Sequence, residues 1–244
     1  MTQRKSPVAG AADKAAGVVA EVNDLTWTGQ PEAAIAQATA ALVAGGLTRA
    51  QEAELLDLRA ENYLWRGETN LAAADAAALA AMARRTRSPA IRALALRREA
   101  FICQRRGESA ATVGAAQAAV DAAEKCDSTA LEGHCLATLA WVRSMTRTDP
   151  QDAPDLARRA VAIFERLGVP TFLARAWLVL GNTYVGLEQP REANEACERA
   201  LALARQCGDL TCQAGALNLL GWFEPDQAKA VKLRQQALAA YTAA

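Results

Sequence analysis

The side chains with chemistry to offer fall into two sets. Asp57 and Glu61, four residues apart, are followed one period of 40 residues later by Arg97, with Arg105 eight residues beyond it. Residues four apart share one face of a helix. The two sets of opposite charge can therefore clamp a charged ligand, or pair with each other as ion bridges worth about 0–1 kcal/mol. The second set is aromatic: Trp27, Trp65, Phe101, Trp141 and Trp222, interleaved with the amides Asn23, Asn182 and Asn218. Aromatic and arginine side chains are enriched at the anchors of protein interfaces, so recognition rather than bond-making is the chemistry these residues suggest.

Catalytic arrangements are not found. His134 is the one histidine in the chain. At a helix start, with no carboxylate or nucleophile to pair with it from the sequence, it is expected to lie at the surface or to cap the helix. Cys103, Cys126, Cys135, Cys197, Cys207 and Cys212 sit inside helical patterns and include no CxxC pair. They read as reduced, mostly buried small hydrophobes, with no metal site. There is no P-loop, no GxGxxG after a strand, no GxSxG and no HExxH. A non-enzyme without cofactor or metal is expected. Lys plus Arg and Asp plus Glu are both 27, so no overall field draws the chain to nucleic acid or an anionic membrane. The start, MTQRKSPVAGAADK, has no apolar segment, and no run of about 18 apolar residues occurs anywhere. The expected location is cytoplasmic, with neither membrane nor direct nucleic-acid contact.

The elements that must hold these residues are helices. Alanine, the best helix former, dominates, and β-branched runs are absent. Breaks recur regularly: Gly29, Gly67 and Gly107 lie 38 and 40 apart, and later breaks fall at Thr148–Pro150, Glu188–Pro190 and Glu224–Asp226. A period near 40 means stacked helical hairpins. In the stretch WLVLGNTYVGLEQPREA, Trp177, Leu180, Gly181, Tyr184 and Ala193, with Ala200 beyond, resemble the tetratricopeptide (TPR) signature, with Cys197 at the position of its later aromatic residue. Leu217, Leu220, Gly221, Ala230 and Ala237 repeat it. In four units the first large residue of helix A and the second small residue of helix B are 23 apart, as in the standard repeat, while the link to the next unit is 17 in four cases. The standard repeat of about 34 residues is thus lengthened by about six, in helix B and its exit.

The resemblance implies an all-α fold, an α-solenoid forming a right-handed superhelix of about six TPR-like hairpins. The expected units are approximately 15–50, 53–90, 93–130, 133–170, 174–210 and 214–244, after an N-terminal segment 1–10 without regular structure. Gly181, Ala193 and Ala200 let helices A and B approach closely, and Trp177 is assigned to the core between hairpins. Glycines 29, 67 and 107 are expected to end A helices, Gly168 and Gly208 to end B helices in the left-handed conformation, and Pro31 and Pro190 to open B helices.

If helix A lines the inner surface, as in the family resembled, positions five, nine and thirteen of each unit face a concave groove. They are Asn23 and Trp27, then Asp57, Glu61 and Trp65, then Arg97, Phe101 and Arg105, then Trp141, Asn182, Asn218 and Trp222, beside apolar residues. The resemblance implies a protein or peptide ligand in that groove, with acidic or aromatic anchors expected near Arg97, Phe101, Arg105 and Trp141. The alternative for the rings is packing against neighbouring A helices. Asn182 matches a carboxylate-clamp asparagine of chaperone-binding TPRs, but the accompanying lysines are missing and that function is not implied. Long repeats of this kind also resemble those joined to cyclase or LuxR/MalT-type outputs in bacteria, so a regulatory part of a larger signalling protein is the second reading. Leu238 and Tyr241 lie where another hairpin would dock. Further repeats, an output domain or a homodimer through the C-terminal hairpin is expected to cover them.

Overall fold

The computed structural model describes residues 7–243, with side chains from residue 16 onward. The described residues form twelve α-helices and one 3-10 turn, with no strand. They pair as hairpins: α1 (Pro7–Trp27) with α2 (Pro31–Ala44), α3 (Arg49–Trp65) with α4 (Thr69–Thr86), and α5 (Pro89–Arg105) with α6 (Ser109–Ala123). Then come α7 (Thr129–Thr146) with α8 (Ala153–Leu167), α9 (Pro170–Gly186) with α10 (Pro190–Cys207), and α11 (Leu210–Phe223) with α12 (Gln227–Ala243). Of the segment 1–10 expected to lack structure, residues 1–6 lie outside the described residues, and α1 begins at Pro7.

The starts of the A helices are encoded by caps at nearly constant spacing. The Thr48 hydroxyl accepts from the Gln51 backbone N–H while the Gln51 side chain accepts from the Thr48 N–H, a reciprocal capping box. Ser88, Ser128 and Asp209 each accept from the N–H three residues on. These caps satisfy donors that a helix start otherwise leaves unpaired. The A helices of units two to six open four residues before the unit starts read from the signature, and α9 does so without a side-chain cap, with Pro170 in its first turn. The turns follow expectation: Pro31 and Pro190 open B helices, and Gly168 and Gly208 close them in the left-handed conformation.

Packing within a hairpin depends on small residues. A Cβ at Gly181 would stand 2.6 Å from the Cys197 sulfur, so α9 and α10 approach as closely as they do because position 181 has no side chain. Ala193 and Ala200 are fully buried beside it. Trp177 is half-buried where the fourth, fifth and sixth hairpins meet, and the Arg199 guanidinium covers its ring at 4.6 Å. Each A helix packs on its own B helix and on the next A helix, whereas each B helix packs on the next unit's A helix. The A helices therefore form the inner layer and the B helices the splayed outer one, an α-solenoid with its core running between the layers.

Candidate functional site

The inner layer curls until its first turn meets its fifth. The indole of Trp27, at the end of α1, stands edge-on to Trp65 of α3 and to Phe172 of α9, both at 5.6 Å between ring centroids. Asn23 fixes that indole by accepting its N–H at 2.8 Å. Arg175 of α9 lies over Trp27 at 4.2 Å and over Trp65 at 5.2 Å. Its other edge donates two bonds, 2.7 and 2.9 Å, to the fully buried carboxylate of Asp209, the cap of α11. One arginine thus ties the first, second, fifth and sixth hairpins together, by cation–π contact on one side and a bidentate ion pair on the other.

This closure leaves two spaces in the lumen. A cavity of ≈ 250 Å³ is lined by Trp27, Glu61, Arg97, Phe101, Trp141 and Asn182 of the expected inner set, together with His134, Phe164, Phe172 and Arg175. A wider space of ≈ 890 Å³ is lined by Asn23, Asp57 and Glu54, and shares Trp27, Arg97, His134 and Phe172 with the first. Phe101 and Trp141 stack at 5.2 Å with their planes 35° apart, so the third and fourth hairpins present one continuous aromatic wall. Arg105 is exposed and donates to the Leu64 carbonyl at 3.3 Å. Asn218 and Trp222 lie outside both spaces, and Trp222 is 64% exposed.

The charged residues are arranged differently from the exposed pairs that spacing suggests. Asp57 is buried and accepts from Arg97 Nη2 at 2.7 Å and from Arg98 Nε and Nη2 at 2.6 and 3.0 Å. Glu61 pairs with Arg98, not with Arg105. Arg98 is fully buried, so the network is an internal tie between the second and third hairpins. Burial works to raise the Asp57 carboxyl, but the guanidiniums of Arg97 and Arg98 outweigh it and hold its pKa at about 2.

His134 is neither a cap nor a surface residue. Its ring lies 4.4 Å from Phe172 and 4.9 Å from Phe164, inside the lumen. Burial, then the positive charge of Arg97, push its pKa down to about 3, so it is a neutral donor and acceptor at physiological pH.

Sequence reasoning missed Arg98, His134, Phe172 and Arg175. Phe172 belongs to the first turn of α9 and lies before unit five as read from the signature, while Arg175 and His134 are each the sixth residue of their helices, just inside the units. Position two of units one to five, Ala16, Glu54, Leu94, His134 and Arg175, lines the lumen throughout. Positions two, five, nine and thirteen are separated by three, four and four, which is one face of a helix, so helical periodicity carried back from position five was the signal that would have found His134 and Arg175, while Arg98 lies off that series.

The fold and this lumen define a TPR-type α-solenoid, a class whose inner surface is built by A helices. No protein-family model matches the chain, and no curated protein resembles it in sequence. Solved structures do resemble it in fold. BtubC (BKLC) from P. vanneervenii superposes with a TM-score of 0.58 at 17% identity, over 98% of this chain and 89% of that one. A Rap protein complexed with Competence and Sporulation Factor superposes with a TM-score of 0.64 at 12% identity, over 94% of this chain and 66% of that one. A STAND signal-transduction ATPase with a tetratricopeptide repeat sensor, from Pyrococcus horikoshii, gives 0.59 at 13% identity, over 95% of this chain and 38% of that one. No helix among the described residues is long and apolar enough to cross a membrane, and none of their His, Cys, Asp and Glu side chains form a group of three or more suited to a metal.

Proposed function

We propose that this chain is a non-catalytic interaction scaffold that receives a segment of a partner protein or peptide at the aromatic wall of its lumen. The observation that carries the reading is the Phe101–Trp141 stack facing a ≈ 250 Å³ cavity beside Arg97 and Asn182. Ligand pockets for drug-sized molecules occupy roughly 300–1,000 Å³, so this one suits a single large side chain, an anchor rather than a buried strand of peptide. An aromatic anchor fits better than an acidic one, because Arg97 is already engaged by Asp57. Arg105, exposed at the margin, is the cation left for an acidic neighbour of that anchor. The likeness to a Rap protein solved with a bound factor supports recognition as the role of this type of solenoid.

Binding of a library of short peptides by the chain and by its Phe101→Ala, Trp141→Ala and Arg105→Ala variants tests this. Truncating a true hot spot costs about 2 kcal/mol or more in affinity. Peptides whose affinity ignores all three changes would remove the lumen from consideration. A second reading, the sensory part of a larger signalling protein, is favoured by the likeness to a repeat sensor within a STAND ATPase of which this chain spans 38%. In that setting the same anchor would bias an output domain such as a cyclase or a LuxR/MalT-type regulator.

A further inference from the structure

A chemically different surface lies on the outer side of the solenoid. Between Asp75 and Glu99 the sequence has six arginines and no acid, in a chain whose charges balance overall at 27 against 27. Folding divides the six. Arg97 and Arg98 turn inward to Asp57, while Arg84, Arg85, Arg87 and Arg92 stay exposed and form no ion pair among the described residues. Some surface cations are paired, Arg66 with Glu32 and Glu68 and Arg159 with Glu124 and Glu132, and others such as Arg147, Arg166 and Arg191 are not, among the described residues; this group differs in how closely its arginines cluster along the chain.

Three of the four exposed arginines border one cleft. Because successive B helices splay, a trough of ≈ 680 Å³ opens between α4 and α6 above α5. Arg84, Arg87, Arg92 and Lys125 contribute its cations, and Glu99 and Asp121 its two acids. Much of the remaining lining is alanine methyl groups and one leucine. Cations exceed acids by four to two, with apolar surface exposed among them. We propose that this cleft docks an acidic segment of a partner protein, one in which carboxylates alternate with apolar side chains. The carboxylates would take bidentate bonds from the arginines, and the apolar residues would cover the alanines. Nucleic acid fits less well: the cleft has no aromatic ring to stack a base, and Glu99 and Asp121 repel a phosphate backbone. This proposal goes beyond the lumen reading and does not rest on it.

The test measures fluorescence anisotropy of a labelled peptide of alternating Glu and Leu titrated with the full chain, beside a Lys/Leu peptide and a labelled oligothymidylate. Two charge reversals of equal size are compared, Arg84→Glu with Arg92→Glu at the cleft, and Arg191→Glu with Arg205→Glu on exposed positions of α10. The Glu/Leu peptide should bind, the Lys/Leu peptide should not, and the cleft reversal should weaken binding about ten-fold or more while the control changes it less than about two-fold. Thermal melts by circular dichroism verify that both reversals fold. If the cleft reversal unsettles the fold, Arg84→Gln with Arg92→Gln should give a smaller loss in the same direction. Absence of peptide binding, equal losses in both reversals, or oligothymidylate binding as tightly with the same loss at the cleft would each overturn the proposal, the last in favour of a nucleic acid. Trp141→Ala should leave the Glu/Leu affinity unchanged, which separates this surface from the lumen.

Discussion

Replacing Asp57 by Asn tests whether the ionic tie between the second and third hairpins is internal. One carboxylate there accepts three bonds of 2.6–3.0 Å from two arginines, one of them fully buried. The carboxamide keeps the shape but loses the charge and presents donors to donors, leaving Arg97 without a counter-ion beside the lumen. Breaking a buried pair by removing one partner costs about 3–5 kcal/mol, against about 0–1 kcal/mol for an exposed pair. The acid limb gives a second readout. Asp57 titrates at about 2 in the folded chain against an ordinary 3.8, a difference worth about 2 kcal/mol. The folded pKa is the lower one, so the unfolded chain takes up the proton first. The stabilisation is present above pH 4 and is lost as pH falls towards 2. Urea denaturation followed by tryptophan fluorescence, repeated from pH 7 down to pH 2, should show Asp57→Asn destabilised by about 3–5 kcal/mol at neutral pH and lacking that last acid-dependent loss. A neutral-pH loss below about 1 kcal/mol with an unchanged acid limb would refute the reasoning and return Asp57 to the class of exposed pairs.

His134, with its folded pKa depressed to about 3 from 6.5, makes the unfolded chain the stronger proton binder between those values. Stability should therefore fall by up to about 1.4 kcal/mol per pH unit below pH 6.5, and His134→Gln should flatten that slope in the same urea series. Arg175→Ala removes the cover of Trp27 and Trp65 and leaves the buried Asp209 without its cation. A loss of about 3 kcal/mol and a larger radius of gyration by small-angle X-ray scattering are expected, whereas unchanged dimensions would mean that Arg175 does not hold the lumen closed. Trp177→Ala, at the junction of three hairpins, should cost about 3 kcal/mol in a urea melt, and Trp141→Ala, on the lumen wall, about half that or less; equal, large losses would mean the inner face is core rather than a binding surface. On the terminal hairpin Leu238 is 65% and Tyr241 51% exposed. If a second copy of the chain covers them, light scattering should detect association that Leu238→Lys abolishes, and a strictly monomeric chain would rule that contact out.

Much of this molecule follows from local rules that a sequence carries openly. Trp177, Gly181, Ala193 and Ala200 place one hairpin, and their spacing carries the pattern into weaker units. The glycines at 168 and 208 and the prolines at 31 and 190 mark helix ends because few other residues suit those backbone positions. Helical periodicity likewise put Trp27, Glu61, Arg97, Phe101, Trp141 and Asn182 on one inner face, and they line one cavity. What the residues meet across that face was decided elsewhere. Trp27 reaches Phe172 and Arg175, some 145 residues away in sequence, because small rotations between successive hairpins add up over four repeats until the superhelix closes. Asp57 takes Arg98 as well as Arg97 because the hairpins press together closely enough to bury both guanidiniums, and repeat spacing carries no measure of that closeness. His134 reads as a helix-start residue until packing of α7 on its own B helix and on the next A helix sets Phe164 and Phe172 against it. Periodicity assigns each side chain to a face of its own helix; only the accumulated packing offsets determine how far apart those faces finally stand.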